Sequence, residues 1–291
     1  MTKELPVSAE PASRTYLKGQ SITRVGIYIL LTVSALLTLA PLLWMVSTSL
    51  RSSSESYQLP PEWLPTDFRI ENYRSVFASS VPFLQLMWNT LKITAAVTLG
   101  QLLVCSMAGF AFAKLRFPGR DILFIVLLAS LMVPNQVTVI PIFLIMRAFG
   151  LIDTHMSLIL PGLVSAFGVF LMRQFFMSLP SELIAAAKID GAGTWTIFTR
   201  IALPLAVPAL VTLSILTFNT TWNAYFYPLI FLSSWDKMTL PQGIAQLQGT
   251  MGSGNPSVIM AAVTMALLPV LFLFVLAQRW IVEAFAQSGL K

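Results

Sequence analysis

A short run of polar and aromatic residues near position 220 could bind a polar solute inside an otherwise apolar stretch. Asn219, Trp222, Asn223 and Phe226 recur at steps of three and four residues, which places them on one face of a predicted helix. The amides can donate and accept hydrogen bonds, and the indole can stack on a flat apolar surface. Asparagine amides also join neighbouring helices in membrane bundles, and the pattern supports both interpretations equally.

Other polar residues within apolar stretches are weaker candidates for the same pathway. Threonine often bonds the backbone of its own helix, so three threonines at four-residue spacing favour a structural role. A kink at a proline would free carbonyls beside the two polar residues that follow it. We therefore add Gln101 and Gln136 to the predicted pathway. The full set of weaker candidates is Thr90, Thr94, Thr98, Gln101, Asn135 and Gln136.

Residues for catalysis or metal binding are scarce. The chain has one cysteine, Cys105, and one histidine, His155, which excludes an intramolecular disulfide and a zinc site built from His and Cys. The phosphate-binding pattern Gly-x-x-x-x-Gly-Lys-Ser/Thr does not occur, which excludes nucleotide hydrolysis by that route. The sequence therefore predicts no catalytic site, metal or cofactor in this chain, and the chain is not predicted to be an enzyme.

The composition identifies the surroundings of these residues. Of 291 residues, 56% are hydrophobic and 10% are charged, whereas soluble domains carry about a quarter charged residues. Six apolar stretches are long enough to cross a hydrocarbon core of about 30 Å. We therefore predict an all-α integral membrane protein with six transmembrane helices, surrounded by lipid and without a nucleic-acid partner. The stretches are Val25–Leu50, Met87–Ala113, Ile122–Met146, Ser157–Phe176, Leu205–Leu232 and Ser257–Val282.

The positions of the charges predict the orientation. With the amino terminus in the cytoplasm, most of the 18 Lys and Arg residues lie inside, as membrane proteins prefer. Both termini are then cytoplasmic. No polar segment is long enough for a soluble domain, so any energy source or soluble receptor must be another polypeptide. The polar segments are cytoplasmic tails at 1–24 and 283–291, outer loops at 51–86 and 233–256, and a cytoplasmic segment at 173–204 within a core of residues 87–282.

The cytoplasmic segment has the features of a compact helix-turn-helix elbow. Ser181 can cap a helix over Glu182–Lys188, and Gly191 can end it in the left-handed conformation. Three successive alanines make the helix surface shallow. A second helix, capped by Thr194, stops at Pro204. Such an elbow suits docking into a groove of a cytoplasmic partner, and an ordinary interfacial connector has the same composition.

In this segment the chain resembles the permease subunits of binding-protein-dependent ABC importers. Their cytoplasmic signature is Glu-Ala-Ala, three residues, Gly, nine residues, Ile, one residue and Leu-Pro. Ala185 stands where the family has glutamate, and Glu182 is a possible substitute on a neighbouring face of the helix. The wider pattern from Arg173 to Ala192 resembles the second-subunit branch of the maltose-permease type of carbohydrate importer. The residues that match the signature are Ala186, Ala187, Gly191, Ile201, Leu203 and Pro204.

The resemblance implies a type I ABC importer permease fold and several partner subunits. The short helix is expected to seat in a cleft of a separate ATPase dimer, which binds the ATP and magnesium, and a second permease is expected to complete the pore. An extracytoplasmic solute-binding protein is expected to contact Gly249, Gly252, Gly254 and Asn255 of the Gly-rich outer loop. The implied ATPase-coupling residues are Glu182, Ala185, Ala186, Ala187, Asp190, Gly191, Ile201, Leu203 and Pro204.

The predicted function is therefore that of a cell-membrane permease for an ATP-driven importer of a sugar or oligosaccharide. An importer for another small polar solute, such as a phosphorylated polyol or an amino acid, is the alternative closest to it. A carrier driven by an ion gradient usually has an ionisable group in mid-membrane, and the six stretches show no clear carboxylate there. An intramembrane enzyme is disfavoured because a cluster of His, Cys and Asp is missing.

Overall fold

The computed structural model describes residues 13–58, 60, 62–249 and 252–288, with side chains for all of these except 13–23 and 279–288. Every regular element among the described residues is helical. A π-helical turn occupies Phe198–Ala202. The α-helices are α1 (Ser13–Ser49), α2 (Ser53–Ser56), α3 (Glu71–Ala78), α4 (Phe83–Lys114), α5 (Arg120–Ser130), α6 (Asn135–Ala148), α7 (Met156–Gly162), α8 (Ala166–Ser178), α9 (Ser181–Ile189), α10 (Thr194–Ile197), α11 (Leu203–Leu205), α12 (Val207–Trp222), α13 (Phe226–Phe231), α14 (Leu240–Leu247) and α15 (Pro256–Ser288).

Within the described residues, 4 helices are long and apolar enough to cross a membrane on their own. Two bent pairs of shorter helices raise the number to 6 if each pair is one span. The helical membrane architecture predicted from composition is therefore confirmed, with four to six candidate spans. The single spans are Arg24–Ser49, Phe83–Lys114, Met156–Ser178 and Pro256–Gln278.

The third predicted span is not one helix. Helices α5 and α6 meet at an angle of 105° across residues 131–134. The ring of Pro134 disfavours helical backbone at the preceding residue, so α5 ends before it and Pro134 becomes the N-cap of α6. A second bend, of 75°, separates the helical run Thr194–Leu205 from α12.

Helix α4 lies at the centre of the bundle, where it packs against α8 and α12. Its close approach to α8 depends on two glycines. A Cβ atom at Gly109 would lie 2.8 Å from the backbone nitrogen of Arg173, and one at Gly168 would lie 2.8 Å from the Sγ atom of Cys105. Small residues at such positions allow membrane helices to reach van der Waals contact, which stabilises them in the absence of a hydrophobic driving force.

The two predicted outer loops contain helices where the sequence indicated plain connections. Helices α2 and α3 lie in the first loop, and α14 lies in the Gly-rich second loop. Two reciprocal hydrogen bonds cap α14: the Thr239 side chain accepts from the backbone N–H of Gln242, and the Gln242 side chain accepts from the Thr239 backbone N–H. The Thr-x-x-Gln spacing that makes this cap is visible in the sequence, although the neighbouring glycines obscure it.

Candidate functional site

The predicted elbow is present at one end of the bundle. Helix α9 extends one residue beyond the predicted helix at each end. Gly191 follows it with a φ of 80°, the left-handed conformation that glycine adopts without steric cost. The predicted side-chain caps are wrong. Pro180 and Gly193 occupy the two N-cap positions without a side-chain hydrogen bond, and Ser181 and Thr194 are already the first helical residues.

One side of α9 faces the protein and the other side is exposed. Ile184 and Ala187 are buried, whereas Ala185 and Ala186 point outward. Ile189 is 86% exposed, which is unusual for a large apolar side chain. The exposed side of α9, the turn after it and Trp195 of α10 are together called the elbow face below, which comprises Glu182, Leu183, Ala185, Ala186, Lys188, Ile189, Asp190, Gly191 and Trp195.

Four of the predicted coupling residues lie outside the elbow face. Ala187 belongs to the buried apolar cluster beneath the elbow, and Ile201 and Leu203 pack against the same cluster. These three side chains therefore hold the elbow in place rather than present themselves to a partner. Pro204 is exposed at the start of α11, beyond the elbow face.

The cluster beneath the elbow is built around three aromatic rings. The ring centroid of Phe110, on α4, lies 5.6 Å from that of Phe176 and 5.3 Å from that of Phe198. At the end of α4, the Nζ atom of Lys114 donates a 2.8 Å hydrogen bond to the carbonyl oxygen of Leu179, just before α9 begins. The cluster and this hydrogen bond therefore connect the elbow to the central helix of the bundle.

The predicted solute residues of α12 line an open groove between α1, α12, α14 and α15, with a volume of about 830 Å³. Asn219 and Asn223 are both exposed there. The amide nitrogen of Asn223 donates to the backbone oxygen of Asn219 at 2.9 Å and to its Oδ1 atom at 3.1 Å. These bonds stay within one turn of α12, so they do not join two helices.

Trp222 and Phe226 are placed differently from the prediction. Helix α12 ends at Trp222 and Phe226 begins the separate α13, so the helical spacing between them is broken. Trp222 is only 3% exposed. Its ring stacks on Phe218, and its Nε1 atom donates a 3.0 Å hydrogen bond to the carbonyl of Ala266 on α15. The structure therefore breaks the predicted shared helical face with Phe226, and it packs the ring of Trp222 on Phe218 at the lining of the groove.

A second cavity, of about 310 Å³, lies against a different face of α12. The residues that line it and the residues that line the groove are all uncharged. Gln101 lines this cavity, but its Nε2 atom donates to Gly162 at 2.7 Å and its Oε1 atom accepts from Thr217 at 2.8 Å. Gln136 is exposed and lines neither space. The polar lining of the cavity comprises Thr90, Gln101, Asn135, Thr138, Ser157, Thr220, Thr221, Tyr227 and Thr239.

Asp153 organises the opposite end of the bundle. One carboxylate oxygen accepts the backbone N–H groups of Ser233 and Ser234, each at 2.9 Å. The other accepts from the Ser234 hydroxyl and from the Nζ atom of Lys237. These bonds lower the pKa of the Asp153 carboxyl, and the bond from the Ser234 hydroxyl has the largest effect. The carboxylate therefore stays ionised and closes the turn after α13.

Two more side chains tie the same segment to the bundle. The amide nitrogen of Asn89, on α4, donates to the carbonyls of Asp236 and Met238 at 2.8 and 3.0 Å. The Nε2 atom of His155 lies 3.0 Å from the carbonyl oxygen of Lys237, and burial lowers the pKa of its imidazole. The bonds made by Asp153, Asn89 and His155 are together called the outer clasp below.

The Gly-rich loop that was predicted to meet a binding protein is partly held in place. Gly249 and Gly252 have positive φ values, and the two residues between them lie outside the described part of the chain. The N–H of Gly254 donates to a carbonyl at the end of α14 at 2.8 Å, and the hydroxyl of Tyr57 donates to the Gly254 carbonyl at 3.3 Å. The side-chain oxygen of Asn255 accepts from the first turn of α15. Both ends of the loop are therefore held by hydrogen bonds.

The outer clasp was not predicted from the sequence, and the 310 Å³ cavity was predicted only in part, since Thr90, Gln101 and Asn135 were among the weaker pathway candidates. In the clasp, Asp153 meets partners 80 to 84 positions away, and nothing nearby in sequence distinguishes it from an ordinary turn carboxylate. Thr220 and Thr221, directly after Asn219, were the available signal for the cavity. Within the described residues, no group of three His, Cys, Asp or Glu side chains could hold a metal ion.

Comparison with known proteins gives one consistent result. Residues 101–287 match the family described as binding-protein-dependent transport system inner membrane component. The arabinooligosaccharides transport system permease protein AraQ of Halalkalibacterium halodurans is 32% identical over 259 residues, which are 88% of this chain and 92% of that protein. The sn-glycerol-3-phosphate transport system permease protein UgpE of Yersinia pestis is 33% identical over 267 residues, which are 90% and 95% of the two chains.

A solved structure is similar over almost the whole chain. It is a bacterial ABC transporter involved in the import of the acidic polysaccharide alginate, and one of its chains matches with a TM-score of 0.77 at 26% identity. The match covers 93% of this chain and 99% of that chain. Sequence and structure therefore indicate the same class of membrane component.

Proposed function

We infer, from the premise that the chain belongs to the family of binding-protein-dependent transport system inner membrane components, that it is the permease subunit of an ATP-driven importer for a sugar or oligosaccharide. The chain forms half of a pathway through the bilayer, and a second permease supplies the other half. ATP and magnesium bind to a separate pair of ATPase subunits. The chain itself makes and breaks no covalent bond.

The elbow face is the observation that carries this proposal. Ile189 and Trp195 are exposed beside two small alanines and the turn at Gly191, which makes a shallow apolar surface. Such a surface is characteristic of a docking site for another protein. We assign it to a cleft of the ATPase subunit, with Glu182 at its edge available to pair with a basic residue. The aromatic cluster beneath the elbow then passes each closure of the ATPase to α4 and shifts the bundle between two arrangements.

Six spans with both termini in the cytoplasm agree best with this function, each bent pair of helices being counted as one span. The hydrogen bond from Lys114 to Leu179 puts the end of α4 beside the elbow. Arg116 and Arg120 follow within six residues of Lys114, so the elbow end of the bundle is basic. Positive charge favours the cytoplasmic side of a membrane, which is where the ATPase must be.

An uncharged, polyhydroxylated solute fits the lining of the pathway best. The groove offers the amides of Asn219 and Asn223, and the cavity offers hydroxyls, with no charged group in either. Amides and hydroxyls pair with sugar hydroxyls without the desolvation cost of burying a charge. The name of AraQ, which specifies arabinooligosaccharides, agrees with this class of solute.

A phosphorylated polyol is the second candidate, because the name of UgpE specifies sn-glycerol-3-phosphate at a similar identity. A phosphate group needs a cation or several N–H donors along its route. If such a solute is carried, the basic groups that bind it must come from the second permease.

We assign contact with an extracytoplasmic binding protein to the loop between α14 and α15. In the proposed topology this loop lies at the end of the bundle opposite to the elbow. It contains Gly249, Gly252, Gly254 and Asn255. The bond from Tyr57 to Gly254 joins it to the first outer loop, so the binding protein meets a surface built from both loops.

Stimulation of ATP hydrolysis tests the proposed function directly. The complete importer is reconstituted in lipid vesicles with its binding protein, and neutral oligosaccharides, sn-glycerol-3-phosphate and amino acids are offered separately. We expect a neutral oligosaccharide to stimulate hydrolysis and to accumulate inside the vesicles. Stimulation by the phosphorylated polyol alone would assign the second candidate function. Uptake that persists without the ATPase and follows an ion gradient would contradict the importer assignment altogether.

A further inference from the structure

A basic turn joins α4 to α5 at the elbow end of the bundle. Beside this turn lies a cavity of about 440 Å³. The Arg116 side chain is exposed, and the described part of the chain gives it neither a hydrogen bond nor an ion pair. Arg120, in contrast, is bound to the carboxylate of Asp121 at 2.9 Å. The cavity is lined by Arg116, Phe117, Gly119, Arg120, Asp121 and Ile122.

The charges around this cavity select a ligand with one negative charge. Arg120 and Asp121 neutralise each other, so Arg116 leaves one positive charge on the lining. Arg173, which lies next to α5, has its guanidinium carbon 4.0 Å from the ring centroid of Phe124. Its Nε atom is buried without a hydrogen-bond partner among the described residues. The surplus of positive charge therefore extends from the cavity to the neighbouring helix.

The helix that leads away from the cavity has a surface suited to acyl chains. Ile122, Ile125 and Val126 of α5 are 69%, 64% and 61% exposed. An apolar surface of this kind, beginning directly after basic residues, is typical of a helix that enters the hydrocarbon from the headgroup layer. In the proposed topology the cavity lies near the lipid phosphates, and Ile122, which lines it, begins the exposed apolar surface of α5.

We propose that this cavity binds the phosphodiester headgroup of an anionic phospholipid, with Arg116 as the main contact and the acyl chains along α5. A singly charged phosphodiester matches the net charge of the lining. Basic pockets at the cytoplasmic ends of membrane helices bind anionic headgroups in this way. The site is independent of the transported solute and of the elbow face.

Lipid titration of the purified importer complex tests the proposal. The complex is stripped of lipid in mild detergent and titrated with phosphatidylglycerol, and the bound lipid is counted by native mass spectrometry. We expect Arg116→Gln to weaken binding about fivefold, the factor that one basic residue near an anionic headgroup contributes. The matched control is Arg147→Gln, which removes an exposed arginine from the end of α6 and leaves binding unchanged. Equal losses in the two variants would overturn the proposal.

A variant with the opposite expected effect on phosphatidylglycerol binding makes the test sharper. Asp121→Asn removes the carboxylate that neutralises Arg120, so it is expected to tighten phosphatidylglycerol binding by a similar factor. Weaker or unchanged binding in this variant would contradict the charge argument. Zwitterionic phosphatidylcholine and free inorganic phosphate are the competitors. Displacement of phosphatidylglycerol by either one would show that the site does not recognise an anionic lipid.

Discussion

The two ends of the bundle both contain buried apolar clusters, but the end opposite the elbow adds a network of side-chain hydrogen bonds to backbone groups. At the elbow, the rings of Phe110, Phe176 and Phe198 pack edge to face or tilted in a buried apolar cluster. At the outer clasp, Asp153 and Asn89 bind mainly backbone groups through hydrogen bonds. Apolar packing has few alternative arrangements, whereas hydrogen bonds can be exchanged with water or with a partner.

This difference assigns distinct mechanical roles to the two ends. In the proposed mechanism, the close-packed aromatic cluster passes force applied to the elbow face to α4. In the same mechanism, the outer end opens when the bonds of the outer clasp are replaced by bonds to water or to a partner. A transporter needs both properties, because it must receive force at one end and change its access at the other.

The largest expected effect comes from removing a ring of the elbow cluster. Phe176→Ala leaves a cavity between α4, α8 and the elbow, and we expect a loss of about 3–5 kcal/mol of stability. The measurement is thermal unfolding of the purified complex. Phe226→Ala is the control, since Phe226 is 42% exposed and its removal leaves no buried cavity. Similar unfolding midpoints for the two variants would show that the elbow end is not rigidly packed.

A substitution at Gly191 should affect the coupling of ATP hydrolysis to solute transport more than it affects folding. Its φ of 80° is strained for a β-branched residue, while open space surrounds the position of a Cβ atom. We expect Gly191→Val to reduce solute transport per ATP hydrolysed by roughly tenfold, because left-handed backbone costs such a residue about 1–2 kcal/mol. Insertion into the membrane is expected to remain normal.

Gly191→Asn separates backbone geometry from partner contact. Asparagine tolerates the left-handed conformation, so this variant keeps the turn but adds a side chain to the elbow face. If both variants transport less solute per ATP hydrolysed, the loss is due to the added side chain, which prevents close contact with the ATPase. Full activity of Gly191→Val would refute the role of the turn.

The outer clasp should respond to pH, unlike the apolar elbow. The pKa of Asp153 is lowered in the folded protein, so the clasp contributes fully to stability above the ordinary aspartate pKa of about 4 and progressively less as the pH falls below it. Asp153→Asn should cost about 1 kcal/mol at neutral pH. The difference in unfolding midpoint between this variant and the wild type should shrink in acid. A difference that is independent of pH would mean that the carboxylate is not what holds the clasp.

The smallest expected effects distinguish amides that join helices from amides that face the pathway. Gln101→Leu removes bonds to Gly162 and Thr217, and we expect a loss of about 0.6 kcal/mol with modest change in transport. Asn223→Leu removes only bonds within α12, so transport should fall while the complex stays assembled. If complexes of the Asn223 variant dissociated during purification, the amide would instead act between subunits.

Elements governed by local rules were predictable from the sequence. Apolar length identified α4, and the glycine at 191 identified the end of α9 within two residues. The matched spacing from Ala186 to Pro204 identified the family that the comparisons show. These features depend on helical periodicity and on backbone restrictions of single residues, which do not require knowledge of distant partners.

Features governed by distant contacts were not predictable. Trp222 was interpreted as a solute contact because its partners, Phe218 and the carbonyl of Ala266, are identified only once α12 and α15 are packed together. Pro134 predicted a kink, but the angle of 105° depends on how α6 packs against its neighbours. In the same way, the hydrogen bonds of Asp153 depend on Ser233, Ser234 and Lys237, which are distant in sequence.

The break between α5 and α6 limits which side of the chain can face lipid in the assembled transporter. Its backbone over residues 131–134 is irregular, and Met132 is 85% exposed. Hydrocarbon cannot supply hydrogen bonds to peptide groups that a helix has released, so non-helical backbone at membrane depth must be covered by protein or wetted by an aqueous space. If α5 and α6 together form one span, a single copy of the chain in lipid would leave this irregular backbone exposed to hydrocarbon, and we expect the side that bears it to face protein or water in the assembled transporter.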